Sequence, residues 1–206
     1  DSGLIVPMGA WVIEQACAQI AAWRAAGLPG FFVSINLSAR QLRDEHLIDT
    51  VRQALDRHGV PHGQLELELT ESMVMDKASH NLRQLHALRE LGVGLAIDDF
   101  GTGYSSLAYL NRFPITKLKI DRSFVADMLQ DATDRAITLA IIGLGHTLGL
   151  KVVAEGVERP REAALLREAR CDELQGYLFG RPMPAAALED WIRERAEHMT
   201  TPGVTA

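Results

Sequence analysis

The spacing of apolar positions changes period repeatedly along this chain. Residues 7–26 carry Ile13, Ala16, Cys17, Ile20 and Trp23 at intervals of three and four, which predicts an amphipathic helix closed by Gly27 and Pro29. FFVSIN (31–36) reads as a strand, and the chain then turns toward a helix reaching about residue 57, before Gly59, Pro61 and Gly63 break it. LELELT (65–70) alternates as a strand and 77–91 reads as a helix. A strand through Val93, Leu95 and Ile97 ends at Asp98, and a short helix follows near 105–111. The same rhythm continues with a strand at 117–120, an apolar helix at 134–148, a strand at 151–155 and a helix at 159–169. A last strand at 174–179 precedes a closing helix at 184–197, with Leu188 and Trp191 on its apolar face. One domain over 1–199 is expected, with a flexible tail at 200–206 rich in Thr, Pro and Gly.

Alternating strands and helices predict a parallel sheet covered by helices. Chemistry-bearing residues recur where the strands end: Asn36, Glu68 with Glu71, Asp98 with Asp99, Lys119 with Asp121, Glu155 with Glu158, and Gln175. An open doubly wound sheet concentrates such groups at one crevice, whereas (β/α)₈ barrels build sites from the ends of many strands. The barrel is favoured. Six strands do not close it, so two are expected to be missing. The sheet edges then exposed predict a partner chain over the gap or a poorly ordered opening.

Composition narrows the function classes. The 206 residues are 47% apolar and 23% charged, enough for one sizeable core. A net charge of −6 without a basic stripe argues against a general binder of DNA or RNA duplexes. A phosphate ligand would need metal ions or a few local cations. The two cysteines, Cys17 and Cys171, lack zinc-site spacing and read as buried thiols of a reducing compartment rather than a disulfide. No signal peptide or membrane span is read, so a cytoplasmic location is expected, with a membrane-anchored parent left open. His146, inside the apolar run, is expected to be a core or helix-surface histidine.

The chemically richest stretch is LAIDDFGTGYSSL (95–107). Neighbouring strand residues face opposite ways, so Asp98 and Asp99 share a pocket only where the backbone turns at the strand end. Two carboxylates so close repel unless a cation intervenes. A divalent-metal site and a solvated acidic turn both fit this stretch taken alone. With Glu68, Glu71, Asp121, Glu155 and Glu158 on the same rim and only Lys119 to offset them, a hard cation with oxygen ligands is favoured. Asn36 suits a carbonyl ligand. Two such ions sharing an acid would activate water and stabilise a phosphoryl transition state, with Lys119 orienting the water or neutralising a phosphate oxygen. Singly, each acid also reads as a surface carboxylate or helix cap; Glu71 and Asp121 both sit where a cap would.

NLSARQ (36–41), ELTES (68–72), DDFGTGYSSL (98–107), KLKIDRSF (117–124), VVAEGVE (152–158) and QGYLFGRPMP (175–184) together resemble the motifs of EAL domains. These are bacterial phosphodiesterases that linearise cyclic di-GMP. The resemblance spans essentially the whole chain and implies a (β/α)₈ EAL fold lacking its first two strands. It implies that Asn36, Glu68, Asp98 and Asp99 bind two Mg²⁺ or Mn²⁺ ions, with Asp98 bridging and Asp99 on the second. Lys119 matches the lysine near the attacking water, and Glu155 a general base or metal partner. Asp99, Lys119 and Glu155 are thus the implied catalytic set. Glu71 matches the acid holding the DFGTGYSS loop, which couples the site to dimer contacts. Glu158 falls near the metal–water network and is grouped with Glu71 as loop-stabilising. Arg40, Gln41, Asp121, Gln175 and Phe179 are the implied substrate-side positions.

The pattern departs from the family in one respect. The Glu-x-Leu motif that names it is expected shortly before a segment like DSGLIVPMG, and no such motif is found there. The expectation is a fragment of a competent enzyme cleaving cyclic di-GMP to linear pGpG. The alternatives are an inactive cyclic di-GMP receptor and a dimerising regulatory module. A homodimer, fused to sensory or GGDEF-type domains, is the implied assembly.

Overall fold

The computed structural model describes residues 3–28, 30–75, 78–102 and 110–200. Six strands form one parallel sheet in chain order: β1 (Val33–Asn36), β2 (Leu65–Thr70), β3 (Gly94–Phe100), β4 (Lys117–Ile120), β5 (Lys151–Ala154) and β6 (Glu173–Leu174). Around them lie α1 (Ile5–Ala25), α2 (Ala39–Leu42), α3 (Leu47–His58), α4 (Glu71–Met75), α5 (Ala78–Glu90), α6 (Arg122–Asp127), α7 (Ala132–Thr147), α8 (Pro160–Glu168) and α9 (Ala185–Thr200). Each strand adds beside its predecessor, the winding expected of a barrel wall. The sheet curls into a half-barrel whose first and last strands do not pair with each other among the described residues.

Strand alternation divides the molecule into an oily outside and a charged inside. Leu65, Leu67 and Leu69 of β2 are fully buried and join the core with Val51 of α3 and Leu85 and Leu88 of α5. Glu66 and Glu68 point the opposite way, where Lys117 and Lys119 of β4 meet them. Strands two apart in a flat sheet lie about 9–10 Å from each other. Paired side chains on β2 and β4 therefore share the concave face. Branched apolar residues usually fill this space in such barrels.

The elements start and stop for identifiable local reasons. Ser38 and Gln41 form a reciprocal capping box at α2, and the segment expected as one helix to residue 57 breaks at Arg43 into α2 and α3. α1 approaches Gln41 so closely that a Cβ on Gly9 would lie 1.6 Å from Gln41 Nε2. At α8, buried Glu162 accepts the backbone N–H groups of Glu158 and Arg159, both at 2.9 Å, and Pro160 occupies the first turn.

The last strand is shorter than the expected 174–179. Gln175 N–H still donates to the Ala154 carbonyl at 2.9 Å, but Gly176 then packs on the backbone of Val157, where a Cβ would lie 2.2 Å from the Val157 oxygen. That contact turns the chain away from the sheet. The short helix expected near 105–111 falls largely on 103–109, and the tail on 201–206, outside the described residues.

Both cysteines are free. Cys17 is buried in α1 and Cys171 is half-buried, and burial pushes each thiol up to about 11. His146 lies on the surface of α7, 3.1 Å from Asp172. By length and composition α1 could cross a membrane, where no membrane span was expected. One face of it, Ile13, Ala16, Cys17, Ile20 and Trp23, is nevertheless buried in the core at the predicted spacing.

Candidate active site

The rim at the C-terminal strand ends gathers around one lysine. Lys119 Nζ lies 2.7 Å from Glu68 Oε2, 3.1 Å from Asp98 Oδ1 and 2.6 Å from Glu155 Oε1. These groups come from β4, β2, β3 and the residue just past β5, so the curl of the sheet assembles the cluster. Lys119 is 4% exposed and Glu68 8%. Burial alone would favour the neutral amine. Hydrogen bonds to Glu155 and Glu68 outweigh it and hold Lys119 charged well above the usual lysine range. Burial pushes Glu155 above the usual carboxylate range; Lys119 offsets part of this, while the charges of Asp98 and Glu68 reinforce it.

β3 solves the problem of adjacent acids differently from the expected strand end. It runs on to Phe100, and its register with β4 jumps between the pairs Ile97–Leu118 and Phe100–Ile120. Within that bulge Asp99 takes φ 53°, a left-handed conformation uncommon outside glycine. Its N–H donates to Asp98 Oδ1 at 3.1 Å, and Thr102 Oγ1 donates to its carbonyl at 2.8 Å. Carboxylate oxygens of Asp98, Asp99 and Glu155 consequently lie within 4.8 Å of one another. Burial, the Asp98 charge and a hydrogen bond with Asp121 all raise the Asp99 carboxyl above its ordinary value.

Asp121 has two jobs. It caps α6 by accepting from Ser123 N–H at 2.9 Å and from the Ser123 hydroxyl, and it touches Asp99. Burial would raise it, but the Ser123 donors and Asp99 hold it below the ordinary aspartate range.

The other predicted positions fall into three groups. Asn36 ends β1, exposed, directly opposite Glu68 in the parallel register. Gln175 and Glu158 line, with Glu155 and Tyr177, a cavity of about 210 Å³ beside the cluster. Gln41 is buried in the α2 capping box, Arg40 is exposed on α2, and Phe179 lines an adjoining 450 Å³ groove that shares Gln175 and Tyr177 with that cavity. Among the described residues, none of these three makes a hydrogen bond or ion pair with Glu68, Asp98, Asp99 or Glu155. Glu71 is buried at the start of α4, and the loop it was expected to hold lies at 103–109, outside the described residues.

A second charged layer lies beneath the first. One step below the rim, Lys117 Nζ lies 3.2 Å from Glu66 Oε2, 2.9 Å from Glu173 Oε2 and 3.5 Å from the Phe32 ring centroid. Ser34 Oγ donates to Glu66 at 2.8 Å. The signal was present: LELELT and KLKI place Glu66 and Lys117 two residues before Glu68 and Lys119, hence on the same face.

The donor set fits a hard divalent cation. It offers several carboxylate oxygens and an amide carbonyl, with neither histidine nor cysteine among them. The class defined by the fold and site is a parallel α/β half-barrel with an acidic, lysine-centred rim at its strand C-termini. The chain belongs to the EAL domain family, whose model matches residues 1–182. It is 49% identical over 187 residues to MucR of Pseudomonas aeruginosa, a bifunctional diguanylate cyclase/cyclic di-GMP phosphodiesterase, covering 91% of this chain and 27% of that protein. It is 47% identical over 192 residues to the cyclic di-GMP phosphodiesterase NbdA of the same organism, covering 93% and 24%. The chain thus spans about a quarter of the length of the curated relatives it matches. Among solved structures, the c-di-GMP complex of the MucR phosphodiesterase superposes with a TM-score of 0.87 at 49% identity, covering 91% of this chain and 76% of that one. The EAL domain of Mycobacterium smegmatis DcpA gives 0.85 at 38% identity, covering 90% and 84%.

Proposed function

We propose that this chain is the catalytic module of a cyclic di-GMP phosphodiesterase that opens one of the two phosphodiester bonds to give linear pGpG. The observation that carries the reading is the convergence of Glu68, Asp98 and Glu155 on Lys119, with Asp99 folded in beside them by the β3 bulge. Relatives named as phosphodiesterases of this nucleotide support the substrate class.

Asn36, Glu68, Asp98, Asp99 and Glu155 would hold two Mg²⁺ or Mn²⁺ ions. Such ions supply Lewis-acid activation of water and charge stabilisation at phosphorus. Lys119 contributes a cation beside the phosphate, where its ammonium neutralises charge that grows as water adds to phosphorus and the P–O bond breaks. Glu155, raised by burial, is suited to take the proton from that water. The proton leaves on the released 3′-oxygen, so one bond forms and one breaks.

Chromatography of cyclic di-GMP incubated with the protein and Mg²⁺ or Mn²⁺ tests the reading. The expected product is pGpG, lost with EDTA and in Asp98→Asn. Turnover that survives Asp98→Asn would remove the site assignment. Nucleotide binding in EDTA with no pGpG in Mg²⁺ would convert the enzyme into a receptor.

A further inference from the structure

The lysine at the centre of the rim occupies the same oxygens that divalent ions would need. Lys119 Nζ sits within 3.1 Å of Glu68, Asp98 and Glu155, and its side chain is 5% exposed. Lone pairs aimed at an ammonium are withdrawn from a metal ion, and a fixed positive charge at such distances repels an incoming dication in a poorly screened site. The remaining nearby acids do not share this hold. Asp99 is exposed and hydrogen-bonds to Asp121, which also caps α6.

We propose that Lys119 is a tethered counter-ion of the rim, so that its ammonium and divalent ions compete for Glu68, Asp98 and Glu155. The inference rests on the two-metal reading above and adds a regulatory consequence to it. Without metal the lysine neutralises part of the acidic rim and lets the strand ends close. Metal loading transfers those oxygens to the ions and frees the ammonium for a phosphate oxygen. The catalytic cation is therefore released only after its metal partners are in place. Metal affinity is set lower than the donor set alone would give, which ties the site to the free-metal level.

The test is binding of Mn²⁺ without nucleotide, followed through the paramagnetic resonance signal of the free ion. Wild type, Lys119→Met, Lys119→Arg and Asp98→Asn are compared. Lys119→Met should bind Mn²⁺ about tenfold more tightly or better, because it removes a nearby positive charge and frees three carboxylates. Lys119→Arg keeps the charge and should stay close to wild type. Equal or weaker binding by Lys119→Met overturns the competition. Equal Mn²⁺ binding by wild type and Asp98→Asn instead overturns the two-metal reading, whatever the lysine does.

Lys119→Met leaves three carboxylates without their shared cation and is prone to misfold, so a second measurement uses the wild-type protein. Carbon-13 labelling of lysine reports the Lys119 Cε environment as Mg²⁺ is added, with calorimetry following Mg²⁺ uptake. A shift and sharpening toward a freely moving lysine, in step with uptake, supports the competition. An unchanged Lys119 signal while Mg²⁺ binds overturns it.

Discussion

Asp98 and Asp99 are neighbours on one strand, yet carboxylate oxygens of both lie within 4.8 Å of the same Glu155 oxygen. A regular strand would send one of them outward to the helices. The left-handed φ of 53° at Asp99 and the register jump against β4 bring both to the same side. Backbone geometry and the clustering of carboxylates are here a single feature.

This separates the backbone role of residue 99 from its carboxylate role. Glycine adopts the left-handed conformation freely, whereas a β-branched residue resists it. Asp99→Gly should hold thermal stability within about 1 kcal/mol of wild type while losing pGpG formation by a factor on the order of 10². Asp99→Val should unfold at a lower temperature than either. Calorimetry and product chromatography on the three proteins check this. Full activity in Asp99→Gly would remove Asp99 from the proposed metal set.

The loop that carries Glu155 gives the second prediction. Gly156 has φ +68°, and a Cβ there would come within 2.6 Å of Arg122 Cβ. Gly156→Ala therefore meets both left-handed strain and a clash at the root of a side chain. A loss of about 1–3 kcal/mol is expected, or roughly 2–10 °C in a domain of this size. Turnover should fall further than stability explains, because the neighbouring Glu155 must move with the loop. Unaltered melting and kcat would mean the loop gives way without cost.

Much of this arrangement was legible in the sequence, for physical reasons that also mark its limit. The strand order, the α1 core face and the convergence of Glu68, Asp98, Lys119 and Glu155 follow from local period and from strand ends facing one rim. The β3 bulge was not legible, because a left-handed aspartate leaves no glycine signature. The early end of β6 depends on Gly176 packing against Val157, a contact between distant segments. Gln41 is a substrate-side position by the resemblance, whereas its side chain is engaged with Ser38 and packed beneath Gly9. The lower charged layer was legible in LELELT and KLKI but lies toward the N-terminal starts of β2 and β4, away from the C-terminal strand ends where a rim site is sought.

Asp131 yields a pH prediction away from the candidate active site. It caps α7 by accepting the N–H groups of Thr133 and Asp134. Those bonds, Thr133 first, hold its carboxyl below the ordinary aspartate range. A depressed folded-state value adds stability above the unfolded aspartate value of about 3.9, and that increment is lost as pH falls through the folded value. Asp131→Ala should lower Tm by roughly 2–4 °C at neutral pH. The gap to wild type should shrink as pH drops below 4, while Asp131→Asn, which keeps a capping oxygen, should show less of it at neutral pH. A gap independent of pH would assign the loss to something other than the charged cap.

The lower layer makes the sharpest claim about stability. Lys117 is the cation between Glu66 and Glu173, and the side chains of Lys117 and Glu66 are each 7% exposed. Removing the lysine alone leaves buried carboxylate without its partner, which costs about 3–5 kcal/mol, whereas replacing a whole buried ion cluster by neutral groups of similar volume is often close to neutral. Lys117→Met should therefore be strongly destabilised in urea denaturation, and the triple variant with Glu66→Gln and Glu173→Gln should recover at least half of the loss. The layer ties β2, β4 and β6 across the concave face directly beneath the rim. The single variant should thus also weaken the metal binding proposed at Glu68 and Glu155, and the triple variant should restore it only as far as the sheet regains its curvature. A Lys117→Met protein within 1 kcal/mol of wild type would show that the rim keeps its shape without the layer below it.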